Sequence, residues 1–160
     1  MPVRLLAASL LTAALALGAP AGAAPLLGPM TLPTSAEPSQ VVRVDFGDRL
    51  NRARNRAGAG EVRSSRNLRR AARRHAADMT ERRYFSHTAP DGSDPMDRAQ
   101  RAECNCHAVA ENIAMGQRSA GEVFRAWMNS PGHRDNMLRN DYDSYGLGRQ
   151  GDTWVLVLSD

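Results

Sequence analysis

The sequence predicts an α+β domain in which an antiparallel sheet is covered by helices. Three observations lead there. Two amphipathic, arginine-rich segments come first, a strand-like run of small and apolar residues follows near the middle, and two apolar runs around Gln150-Gly151-Asp152 close the chain as a hairpin.

The first forty residues stand apart. Met1 to Arg4 is short and positive, Leu5 to Leu17 is a largely apolar run without charge, and Ala21-Gly22-Ala23 supplies small residues for cleavage, so residues 1–23 are expected to be a signal peptide. The run is shorter than the roughly 20 apolar residues that span a bilayer, so no membrane span is expected in the mature form. Residues 24–40 carry Pro25, Pro29, Pro33 and Pro38 without apolar periodicity and read as a linker. The folded part is expected at 41–160, enough for one modest core and, on this reading, a monomer secreted to the periplasm or beyond.

Phe46, Leu50, Ala53 and Ala57 recur at helical steps, and Gly58 and Gly60 end that helix. A second helix is capped by Ser64 or Ser65 and carries Leu68, Ala71, Ala72, His75, Ala76 and Met79 on one stripe, with arginines opposite. His75 on that stripe reads first as a core or groove-wall histidine needing one partner, and second as a site residue. Beyond Met79, Tyr84 and Phe85 read as a buried anchor that places His87 on a loop before the Pro90-Asp91-Gly92 turn.

Cys104 and Cys106 are the only cysteines. An extended backbone would hold them near the far edge of the roughly 4.4 to 6.8 Å Cα separation a disulfide accepts, so an internal bond needs a turn. That pairing is preferred here over an intermolecular link or a metal pair with His107. Ala108 to Met115 alternates as a strand, with Ala108, Ala110, Asn112 and Ala114 on one face and Val109, Glu111, Ile113 and Met115 on the other. Glu111 thus points among apolar neighbours and must be paired or line a cleft. Ser119 and Glu122 fit a capping box, which gives Glu122 a structural task, ahead of a helix with Val123, Phe124 and Trp127 on its stripe. Ser130 and Pro131 then fit the N-cap and first position of another helix, placing His133 in its first turn, where the helix dipole favours a neutral imidazole.

Every one of the 21 basic residues is arginine, and their placement is uneven: residues 43–83 carry a net charge of +8 and residues 84–160 a net of −4. The simpler reading is two solvated helix faces; the sharper one is an anionic partner at the cell envelope, and an exported chain makes nucleic acid an unexpected one.

The blocks L-N-R-A-R-N-R-A-G, A-A-R-R-H-A-A-D-M, Y-F-S-H-T-A-P-D-G, A-E-N-I-A and A-W-M-N-S-P-G-H-R-D-N-M-L, with a terminal G-L-G hairpin, occur in an order that resembles the bacterial branch of the CAP superfamily, the cysteine-rich secretory, antigen 5 and pathogenesis-related proteins, or SCP domains. The resemblance covers Val41 to Asp160. It implies a three-layer α-β-α sandwich with a cleft lined by two histidines and two acids, of which His87, Glu111 and His133 match block by block. The fourth place departs: where eukaryotic relatives carry an acid three residues after the helix tryptophan, this chain has Ser130, and Glu122, which precedes Trp127, is no substitute. The resemblance also implies a binding module for small hydrophobic or envelope ligands more than a settled enzyme class.

Two neutral imidazoles and a carboxylate have the chemistry of a divalent-metal site, zinc by ligand type, with a position open to water or ligand. No nucleophile is marked, since Ser130 is claimed by the cap and Ser86 has no visible base. The expectation is therefore a secreted binding module. A metal-dependent hydrolase and an envelope-binding structural protein with an arginine face are its alternatives.

Overall fold

The computed structural model describes residues 45–160; the expected signal peptide at 1–23 and linker at 24–40 lie outside the described residues. The elements in chain order are α1 (Phe46–Arg56), β1 (Arg63–Ser64), α2 (Arg66–Arg82), α3 (Pro95–Arg101), β2 (Val109–Met115), α4 (Ala120–Met128), α5 (Pro131–Leu138), β3 (Ser144–Gln150) and β4 (Thr153–Ser159). The sheet runs β1-β3-β4-β2. β2, β4 and β3 are antiparallel, whereas the two-residue β1 joins β3 in parallel, so the sheet is mixed and not wholly antiparallel. β1 and α3 are the two elements the sequence pattern did not show. β1 is too short to have a period, and α3 is announced only by its cap: Asp94 accepts from the Asp97 N–H while Asp97 answers the Asp94 N–H, with Pro95 at the first position.

Three layers result. On one face of the sheet, Leu68, Ala72, Ala76 and Met79 of α2 and Ala99 of α3 pack on Ile113, Val155 and Val157. On the other, Phe46 and Leu50 of α1, Val123 and Trp127 of α4 and Met137 of α5 pack on Trp154, Leu156 and Leu158. β4 is buried along its whole length, as a central strand covered on both faces should be. The alternation of β4 deals its side chains to the two cores in turn.

α2 lies against β3 so closely that side chains there have no room. A Cβ at Gly146 would strike the backbone of Leu68 and Arg69, and one at Gly148 the backbone of Ala72 and Arg73. The G-L-G motif therefore fixes the depth of the α2 layer, and with it the position of His75.

Not all helix arginines are solvated. Arg54 is fully buried, and its guanidinium donates to the carbonyls of Gly60 at 2.5 Å, Met137 at 2.9 Å, Arg139 at 3.0 Å and Tyr142 at 2.8 Å. Two of those carbonyls end α5, a helix with no basic residue in its own last turn. Arg54 thus supplies from α1 the cation that the C-terminus of α5 lacks.

Candidate functional site

The site is organised by two consecutive residues of β2, an edge strand. Alternation along a strand sends neighbours to opposite faces, so Glu111 faces the α2 and α3 layer while Asn112 faces the α5 layer. Each holds one wall of the cleft.

Glu111 is buried, and its carboxylate has three hydrogen-bond contacts from two residues. His87 Nδ1 lies 2.9 Å from Oε1, and Arg98 Nη2 donates to Oε1 at 3.1 Å and Oε2 at 2.9 Å. His75 Nε2 stands 3.6 Å away, beyond hydrogen-bond reach, and bonds instead to the Ser86 carbonyl at 3.0 Å. Arg98 also donates to the carbonyls of His87 at 2.8 Å and Ser93 at 2.7 Å, so one guanidinium ties the whole 87–93 loop to Glu111. Arg98 is the residue sequence reasoning missed. Its one signal was Glu111 itself, an acid among apolar neighbours that needed a cation.

On the other face Asn112, fully buried, donates to the His133 carbonyl at 2.9 Å and accepts from the Asn136 side chain at 2.9 Å, which pins α5 to β2. Asn112, too, was seen in the sequence only as a strand residue. The His133 Nδ1 lies 2.9 Å from Ser130 Oγ. Ser130 does occupy the N-cap, but its side chain makes no capping bond, so it serves His133 and not the helix end. Burial first, and then the neighbouring His87, push the His133 pKa below its ordinary value. The direction is the one expected from the sequence, although desolvation and not the helix dipole leads.

Other sequence candidates fall as follows. His75 is 1% exposed and belongs to the wall behind Glu111. Glu122 accepts from the Arg118 N–H while Ser119 caps α4, so it serves the helix start and stays outside the cleft. Phe85 is 48% exposed, so only Tyr84, whose hydroxyl donates to Asp78, anchors the loop that follows α2. Cys104 and Cys106 are joined within the chain, 5.3 Å apart at Cα, just before β2.

Among the described residues no three His, Cys, Asp or Glu side chains form a group able to hold a metal ion. Within the expected set of His87, Glu111 and His133, both Glu111 oxygens are engaged by Arg98 and one of them also by His87. The two imidazoles do fit a metal by chemistry. Each has Nδ1 engaged inside the fold, His87 with a carboxylate and His133 with a hydroxyl, the second-shell arrangement that orients a metal-binding histidine.

Burial lowers the His75 pKa against the opposing pull of Glu111. The folded state therefore stays unprotonated where the unfolded chain, near 6.5, takes up a proton. Stability is expected to be unaffected by this group above that pH and to fall as the pH drops below it. Urea titrations between pH 7 and 5 should show a shallower loss in His75→Gln than in the wild type, and equal slopes would mean that His75 is charged in the fold.

The fold and the cleft define a CAP domain: residues 48–157 match the family model of the Cysteine-rich secretory protein family, and the chain belongs to that family. Among curated relatives, the uncharacterized protein YkwD of Bacillus subtilis (strain 168) is 32% identical over 139 residues, covering 84% of this chain and 54% of the relative. The chain thus spans about half the length of that relative. Of solved structures, an extracellular protein containing a SCP domain from Bacillus anthracis str. Ames superposes with a TM-score of 0.69 at 27% identity, over 71% of this chain and 38% of that one. An outer surface protein from Borrelia burgdorferi shares the fold with a TM-score of 0.67 at 23% identity, over 72% of this chain and 89% of the other. Among the described residues no helix is long and apolar enough to cross a membrane.

Proposed function

We propose that this chain is an exported ligand-binding module whose cleft lies beyond the outer edge of β2, where His87 and His133 present Nε2 to a divalent cation or to a ligand that one carries. The observation that carries this reading is the matched tethering of the two imidazoles: each is held at Nδ1, and neither Nε2 has a protein partner among the described residues. The two rings are close enough for a charge on His87 to depress protonation of His133, which keeps a lone pair available. Zinc suits two imidazoles with the remaining positions open, and its chemistry there would be to hold an oxygen or nitrogen donor of the ligand. Glu111 and Arg98 act behind the site by fixing the His87 ring. Export is supported by the apolar Leu5 to Leu17 run and by the extracellular and outer-surface descriptions of the two structural relatives.

A hydrolytic reading has one observation in its favour. Ser130 Oγ and His133 Nδ1 are at nucleophile-to-base distance, 2.9 Å, and Ser130 is free of the cap. The two readings need different tautomers: metal binding at Nε2 needs Nδ1–H donating to Ser130, whereas a base needs the Ser130 hydroxyl donating to Nδ1.

Zinc titration by calorimetry on the purified chain, beside His87→Ala and His133→Ala, tests the proposal. One site lost in both variants is expected. Binding that persists in either would remove the cleft from consideration, and ester turnover abolished by Ser130→Ala without added metal would favour the hydrolase.

A further inference from the structure

The cleft makes no use of the feature that dominates the surface charge. α2 carries six arginines and two acids over Arg66–Arg82, so this one helix holds as much net positive charge as the entire chain, +4. Its outer face is a shallow groove lined by Arg66, Arg69, Arg70, Arg73 and Arg74. Arg70 is engaged with Glu103. Arg66, Arg69, Arg73 and Arg74 are exposed, and among the described residues none of them is paired with a carboxylate.

Position makes this arrangement costly. The first turn of α2 has no acidic residue, and Arg66, Arg69 and Arg70 lie at the end where the helix dipole is already positive. Solvation alone would be served as well by mixed charges, with glutamates spaced to pair with the arginines. An anion lying on the face would relieve both the dipole conflict and the mutual repulsion.

The groove does not end on the helix. Arg74 also lines a pocket of about 260 Å³ between α2 and the loop and helix α3, together with Arg82, Arg98, Arg101, Asp78 and Asp91. Both acids of that pocket are occupied: Asp78 accepts from Tyr84 and lies 3.6 Å from Arg82, and Asp91 accepts from the Ser93 N–H and hydroxyl and from Arg101. Arg82, Arg101 and Arg98 are paired in turn with Asp78, Asp91 and Glu111, so Arg74 is the pocket's one arginine without a carboxylate among the described residues, and it joins the pocket to the groove.

We propose that the α2 face and the α2–α3 pocket form one track for a linear, flexible phosphodiester polymer of the envelope type, with the groove arginines contacting successive phosphates and the pocket receiving one end. Guanidinium matches phosphate geometry through paired donors. Arginines recurring with each helical turn, about 5.4 Å, present charge along a line, which a chain with one negative charge per freely rotating unit can follow. No Phe, Tyr or Trp lines either concavity, and His75 in the pocket is 1% exposed, so the stacking platforms that single-stranded nucleic acid uses are missing from the track. A recessed pocket at one end of the line also suits a threadlike ligand better than a flat lipid surface.

The test is binding of a labelled synthetic poly(glycerol phosphate) oligomer to the full chain at a series of salt concentrations. Four contacts predict a slope of log K against log salt of about −3, and each arginine removed should reduce its magnitude by about 0.7. Arg69→Gln/Arg73→Gln should therefore halve the slope and weaken binding at low salt about tenfold or more. Arg52→Gln/Arg56→Gln, with the same charge change on the exposed side of α1, should leave the slope near −3 and the affinity within twofold. Equal losses in the two double variants would reduce the effect to net charge and overturn the track. So would tighter binding to single-stranded DNA of equal charge, or to phosphatidylglycerol vesicles, than to the oligomer. Zinc binding at the cleft is expected to be the same in all these variants, so failure here and failure of the cleft reading are distinguishable.

Discussion

Replacing Arg54 by methionine is expected to cost this domain about 4 kcal/mol of stability, the value typical of removing a buried charge that serves several acceptors. The side chain is fully buried and bonds to four backbone carbonyls, from the loop after α1, the end of α5 and the segment before β3. Methionine fills similar volume but leaves those carbonyls without donors, and the end of α5 without its cation. Lysine tests whether charge or fork geometry matters. Its ammonium is a point donor and cannot reach carbonyls on three segments at once, so Arg54→Lys should recover less than half of the loss in urea unfolding. A lysine variant as stable as the wild type would show that charge alone suffices.

Glu111→Gln should cost about 3 kcal/mol and loosen the cleft at the same time. Glutamine keeps the shape but removes the charge facing Arg98, whose side chain is 10% exposed, and offers a single carbonyl oxygen where two oxygens now receive three hydrogen bonds. With Arg98 unbalanced, its hold on the 87–93 loop weakens, and His87 loses the partner that fixes its ring. The expected readout is twofold: a lower urea midpoint, and zinc affinity reduced by about 10- to 100-fold, as for loss of a second-shell carboxylate. The paired change Glu111→Gln/Arg98→Met should regain part of the stability without regaining the affinity. Recovery of both would show that the carboxylate matters only as a countercharge.

What the sequence revealed follows from which interactions leave a period. The stripe of α2, the alternation of β2 and the hairpin turn at Gly151-Asp152 are periodic or local, and each was legible with its boundaries nearly right. The two faces of β2 were legible as well, including Glu111 on the apolar one. The partners were not. Arg98 reaches Glu111 across 13 residues and Arg54 reaches Tyr142 across 88, and nothing in a neighbouring residue marks either. Among many arginines, the buried Arg54 and the half-buried Arg98 look like the rest. Ser130 misled for the opposite reason: the S-P-G-H order is a good helix start, and the N-cap position was right, yet the hydroxyl had a nearer use in His133. Phe85 misled because an aromatic residue was taken as an anchor when its neighbour Tyr84 does that work.

The place of β4 in the chain has a consequence for how the domain is made. It is the innermost strand, contacted on both sides by β3 and β2 and on both faces by helices, and it is the last element of the domain. A chain synthesised from its N-terminus therefore carries five helices, α1 to α5, and strands β1, β2 and β3 before the segment that unites them exists. The two cores cannot close until Ser159 is available, so the growing polypeptide has no stable partly folded stopping point. Such a chain completes its structure only after β4 has arrived.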